Sequence, residues 1–111
     1  MEIVITEKPA ATVFSINGRM DALSAPDVEA RINQWLEQNQ TKLIMDLERL
    51  DYISSAGLRI LLSAAKKMKA RGGVLLLAHL QAGVKQVFEI SGFSAIMPIY
   101  ETVDAALGAA K

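Results

Sequence analysis

The sequence predicts an α/β fold: a mixed, mostly parallel sheet of four or five strands, with about four helices packed mainly on one face. Two runs, Lys42-Leu43-Ile44-Met45-Asp46-Leu47 and Val74-Leu75-Leu76-Leu77-Ala78, are short and nearly unbroken in apolar character. That is the pattern of strands covered on both faces. Helical stripes precede and follow them, at Val28, Ile32, Trp35 and Leu36 and at Leu58, Leu61, Leu62, Ala65 and Met68. Strand and helix taking turns in this way argue for a largely parallel sheet with right-handed crossovers. The expected order is ββαβαβαβα.

The chain starts with Ile3-Val4-Ile5-Thr6 and Ala11-Thr12-Val13-Phe14-Ser15-Ile16, both rich in β-branched residues, separated by Glu7-Lys8-Pro9-Ala10. The short Pro-containing break makes them an antiparallel pair that ends at Gly18. Ser24-Ala25-Pro26-Asp27 opens the first helix with a capping hydroxyl, an early Pro and a first-turn carboxylate. Trp35 falls on the apolar face of that helix and is read as core. After the strand at Leu43, a loop from Leu50 to Ser54 leads to the second helix, which Arg71-Gly72-Gly73 terminates. The strand at Val74 is followed by a third helix marked by Val84, Val87 and Phe88, which stops near Gly92. Ile96-Met97-Pro98-Ile99-Tyr100 is expected at a sheet edge, because its Pro cannot donate to a ladder. Thr102 then caps a last helix with Val103, Ala106, Leu107 and Ala110 on its inner face.

At 111 residues the chain has room for one domain with its own core, assigned to residues 1–111, and no repeat or linker-like tract divides it. Hydrophobic residues form 51% and charged residues 22%, a globular balance rather than that of a disordered segment. Twelve basic residues offset twelve acidic ones, so no long-range field draws in nucleic acid or an anionic membrane. The absence of cysteine excludes a disulfide framework, a zinc-thiolate site and a catalytic thiol. No apolar run approaches the roughly 20 residues that span a bilayer, so no membrane insertion is expected. Met1-Glu2-Ile3-Val4 has no basic stretch followed by a long apolar segment, and a cytoplasmic location is the expectation.

Function is expected in the loop from Asp46 to Ala56, which leaves the C-terminal end of a parallel strand, where ligands and partners of such sheets are met. Ser54 or Ser55 sits at the start of the following helix. One serine there is ordinarily an N-cap worth about 1 kcal/mol. Two hydroxyls in tandem, followed by the small residues Ala56 and Gly57, go beyond that need and leave the backbone approachable by another protein. A phosphate at a helix N-terminus meets free N–H groups and the positive end of the helix dipole, so the fold tolerates a reversible charge there.

Ser54-Ser55-Ala56-Gly57-Leu58, following the acidic strand end at Asp46 and a short loop, resembles the anti-sigma factor antagonist group of STAS domains. Its members show Asp-Ser-Ser-Gly-Leu or Ser-Ser-Ala-Gly-Leu at that place. Gly18-Arg19-Met20-Asp21 is similar to the family's Gly-x-Leu-Asp after the second strand, and the likeness extends over the whole chain. The resemblance implies a STAS-like fold and Ser55 as phosphoacceptor, with Ser54 as the runner-up. It also places Asp21 near the phosphorylated serine and the kinase contact, and a partner surface of Asp21, Ser54, Ala56, Gly57 and Arg59. The implied mechanism is partner switching in transcription regulation. The unmodified protein binds an anti-sigma factor that is also a serine/threonine kinase, and so frees a sigma factor. Phosphorylation undoes the binding and a phosphoserine phosphatase restores it. The resemblance implies neither enzymatic activity nor a cofactor.

Other readings weigh less. A serine hydrolase needs an activating base, and His79 is the sole histidine, in a chain without a Gly-x-Ser-x-Gly elbow. Asp21, Asp46, Glu48 and Asp51 have the oxygen chemistry of a divalent-ion site, but their spacing matches no dedicated loop; they are read as solvated loop acids. Arg59, Lys66, Lys67, Lys69 and Arg71 make the second helix locally basic, which suits an acidic partner or lipid headgroups but is read first as a solvated outer face. The main alternative function is a STAS-domain accessory or docking subunit of a lipid-transport or stress-signalling assembly, which needs only a static docking face.

Overall fold

The computed structural model describes residues 1–111. Its strands are β1 (Glu2–Glu7), β2 (Thr12–Met20), β3 (Lys42–Asp46), β4 (Leu50–Ile53), β5 (Val74–Ala78) and β6 (Ile99–Tyr100). Its helices are α1 (Ala25–Leu36), α2 (Ser55–Ala70), α3 (Ala82–Ile90) and α4 (Val103–Ala110), with a short 3-10 turn at Phe93–Ala95. The sheet runs β1-β2-β3-β5-β6, antiparallel between β1 and β2 and parallel elsewhere.

The apolar stripes decide which way each helix faces. Val28, Ile32, Trp35 and Leu36 of α1 are buried, as are Leu61, Ala65 and Met68 of α2 and Val84 and Phe88 of α3. They join Phe14, Ile16, Leu43, Met45, Leu75 and Leu77 of the sheet in one cluster of 22 buried residues. Trp35 meets Phe14 edge to face at 6.2 Å. The opposite face of the sheet is covered by α4 alone, through Ala106 and Ala110 against Val13, Ile44 and Leu76. Alternate residues of β3 and β5 therefore feed different clusters, which is why Leu43–Met45 and Leu75–Ala78 carry no polar position between them.

Three local expectations are corrected. β2 does not end at Gly18 but continues to Met20, and Leu50–Ile53, read as loop, is a strand parallel to that extension, which brings the sheet to six strands. Gly18 pairs with Leu50 and Arg19 with Tyr52, so Asp51 is the extra residue of a bulge, beside a Gly18 at φ +109°, a conformation that suits glycine. Because of that extra residue, β4 buries Leu50 and Ile53 and exposes Asp51 and Tyr52, a pattern without the period of two by which strands are recognised. Second, Ser24 makes no side-chain cap to α1; its hydroxyl turns back toward the end of β2. Third, the edge strand is only Ile99–Tyr100, after Pro98, whose carbonyl accepts from the Leu77 N–H at 2.9 Å. No helix is long and apolar enough to cross a membrane.

Candidate functional site

The β2–β4 pairing brings the two predicted site segments together. Met20 and Ile53 are partners in the ladder, and the Ser54 N–H donates to the Met20 carbonyl at 2.8 Å. Asp21 and Ser54, 33 positions apart by their numbering, are thus the residues that leave two paired strands at the same end of the sheet.

Asp21 and Ser24 bond reciprocally. The Ser24 N–H donates to Asp21 Oδ1 and the Asp21 N–H to Ser24 Oγ, both at 3.0 Å, and Oδ1 also accepts from the Leu23 N–H. The Ala25 N–H already reaches the Asp21 carbonyl at 2.8 Å, so the turn before α1 is helical and Asp21 closes it in the manner of a capping box. The backbone bond from Ser24 is the largest of the contacts that hold the Asp21 carboxyl below the usual carboxylate range, with the Ser24 hydroxyl, the Leu23 N–H and Arg19 adding to it. All of these bonds use Oδ1, and Oδ2 is free.

The tandem serines divide their work. Ser54 is the N-cap of α2, its backbone extended and its Oγ accepting from the Gly57 N–H at 3.2 Å. Ser55 is the first residue of the helix, exposed, with its hydroxyl in no hydrogen bond. Ala56 is half-buried against the main core. Gly57 is buried: a Cβ there would come within 2.9 Å of Ile53 Cγ1 and 3.0 Å of Met20 Cγ. Its expected openness to a partner is corrected accordingly. The missing side chain lets α2 sit down on β2 and β4, because the helix start follows β4 without a connecting loop. Arg59, one turn further on, is exposed.

The surroundings include residues that sequence reasoning did not single out. The Arg19 guanidinium lies over the Tyr52 ring at 4.3 Å from its centroid, and Leu23 is 90% exposed between the bonded residues Asp21 and Ser24. Arg19, Asp21, Leu23, Asp27 and Asp51 line an open cleft of about 590 Å³. The available signal was an apolar Leu23 inside a polar helix start; Arg19 and Tyr52 gave none, since only the register of β4 pairs them. A second cleft, with Lys8, Thr41 and Lys42, lies at the opposite end of the sheet, where β2 and β3 begin.

The acids considered for an ion have separate tasks. Asp46 accepts from the Ser15 hydroxyl at 3.1 Å and the Glu48 N–H at 3.3 Å, and Glu48 stands 3.8 Å from His79 Nδ1. No group of three or more His, Asp or Glu side chains is arranged to hold a metal ion. His79 follows β5 with a partly exposed ring and makes no hydrogen bond to either serine.

The STAS domain family matches residues 2–106, nearly the whole chain. The chain belongs to this family. Among proteins similar to this STAS domain is BtrV of Bordetella bronchiseptica, named as an anti-sigma factor antagonist, 35% identical over 111 residues that cover 100% of this chain and 96% of that protein. The crystal structure of an anti-sigma factor antagonist from Mycobacterium paratuberculosis superposes with a TM-score of 0.90 at 24% identity, covering 98% of this chain and 92% of the other. The Bacillus cell fate determinant SpoIIAA in its phosphorylated form gives a TM-score of 0.78 at 21% identity, covering 99% and 100%. The six-stranded sheet with four helices is thus the fold of known STAS domains.

Proposed function

We propose that this STAS domain is an anti-sigma factor antagonist whose unmodified form binds an anti-sigma factor serine/threonine kinase, releases a sigma factor, and is switched off by phosphorylation of Ser55. The observation that carries this reading is the division of labour between the tandem serines. The Ser54 hydroxyl is spent on the Gly57 N–H, whereas the Ser55 hydroxyl is exposed and unbonded. A kinase can take Ser55 as acceptor without opening the helix start. A phosphate adds about −1.5 to −2 charges and three strong acceptors to a surface that must lose water on docking, which disfavours the same contact. Asp21, fixed on the adjacent strand end with Oδ2 free, Arg59 and the Arg19–Tyr52 pair are proposed to form the rest of the docking face. A phosphoserine phosphatase returns the binding form.

The test is incubation with the cognate kinase and Mg-ATP, followed by mass spectrometry of the modified peptide. Ser55→Ala takes up no phosphate, and Ser54→Ala still does. Ser55→Asp binds the kinase at least about tenfold more weakly, a loss of roughly 1.4 kcal/mol. Full phosphorylation of Ser55→Ala, or undiminished binding by Ser55→Asp, would leave a static docking role as the better account.

A further inference from the structure

Arg59 stands four residues after Ser55 on the continuous helix α2, and both are exposed. Residues at this spacing share a helix face, with Cβ atoms about 5–6 Å apart, and an anion placed N-terminal to its cation is the favoured orientation. Nothing in the protein holds the Arg59 guanidinium. The chain's one salt bridge joins His79 to Glu48, and α2 carries Arg59, Lys66, Lys67 and Lys69 with no acidic residue. The other cations are engaged or distant: Arg19 stacks on Tyr52, and Lys66, Lys67, Lys69 and Arg71 lie about three turns or more beyond Ser55 along α2. Of the charged side chains on and beside the neighbouring strands, Asp21 and Asp51 repel a phosphate and Arg19 is stacked on Tyr52.

We propose that Arg59 is the latch of the modified serine: a phosphate on Ser55 accepts a two-pronged ion pair from the guanidinium one helical turn away. The inference rests on Ser55 as the phosphoacceptor, and it adds a second element to the switch. In the unmodified protein Arg59 is a free cation offered to a partner. After modification the planar fork, which matches phosphate geometry, is occupied from within the chain. Phosphorylation thus both adds an anion and withdraws a cation, on a helix whose fold it does not alter.

The experiment places phosphoserine at position 55 during synthesis, so that its outcome does not depend on any kinase. The second ionisation of that phosphate is followed by phosphorus NMR across pH in the parent, Arg59→Gln and Lys66→Gln. Lys66 is exposed on the same helix, about three turns from Ser55, so Lys66→Gln removes an equal charge at a distance. Arg59→Gln is expected to raise the second phosphate pKa by about 0.3–0.7 units, in line with an exposed ion pair, and Lys66→Gln to change it by less than about 0.1. The Arg59 effect shrinks in high salt, as screening requires. An unchanged pKa in Arg59→Gln, or equal shifts in the two variants, would overturn the latch. Phosphorylation of Ser55 by the kinase is judged separately, from the Ser55→Ala reaction.

Discussion

Ser54 and Ser55 are chemically identical and one bond apart along the chain, yet the fold assigns them opposite tasks. Ser54 is a cap, so Ser54→Ala removes the bond to Gly57 and lowers stability by about 1 kcal/mol in urea unfolding. Ser55 bonds to nothing, and Ser55→Ala is expected to change stability by less than about 0.5 kcal/mol. Equal losses in the two variants would contradict the assignment of the cap. Asp21 carries a second prediction. Its folded pKa is depressed below the ordinary value of 3.8, so its charge contributes stability that is present above that value and lost as pH falls through the folded pKa. Asp21→Asn keeps an acceptor but loses the charge. The stability gap between parent and variant should be widest at neutral pH and close in strongly acid solution; a gap independent of pH would remove the charge from the argument.

At the scale of elements, the site depends on how closely α2 approaches the strands before it. Gly57→Ala gains up to about 1 kcal/mol in helix propensity but drives a methyl group into Ile53 and Met20, an overpacking that costs about 1–3 kcal/mol. Net destabilisation is expected, with Ser55 displaced and phosphorylated more slowly. Gly73 presents a harder case, since its added Cβ meets the Thr41 carbonyl and backbone cannot yield as a Met side chain can. Gly73→Ala should cost more than Gly57→Ala, by a margin of about 1 kcal/mol or more in the free energy of unfolding, and leave the Ser55 surface unaltered. The reverse order would show that Met20 is the more rigid neighbour.

Across the whole molecule the two faces of the sheet are unequally defended. α1, α2 and α3 close a cluster of 22 buried residues, whereas α4 closes one of seven, burying only the two methyl groups of Ala106 and Ala110 fully. Small apolar areas stabilise little, at about 25 cal/mol per Å². Native-state hydrogen exchange should therefore find the α4 amides opening at lower free energy than those of α2, without global unfolding. Uniform protection of both helices would refute this. Since α4 lies on the face opposite α2, its opening leaves the Ser55 surface standing.

The order of strands and helices apart from β4, the apolar faces of the helices and the serine-bearing helix start were legible in the sequence, because long apolar stripes and buried runs are local patterns with fixed periods. Thr102 as a cap and the end of α2 at Arg71 were legible for the same reason, since caps and glycine stops act within a few residues. Other features had no local signal. β4 is four residues long and bulged at Asp51, so its apolar positions fall three apart, and only pairing with β2 makes it a strand. That same pairing sets Asp21 beside Ser54 and Arg19 over Tyr52. The sequence alone determined that a serine would stand at the head of α2; which hydroxyl is spent and which is free was decided by the tertiary structure. The extended backbone that turns Ser54 Oγ onto the Gly57 N–H is held by the Ser54 bond to Met20, a contact between segments 34 residues apart in the numbering.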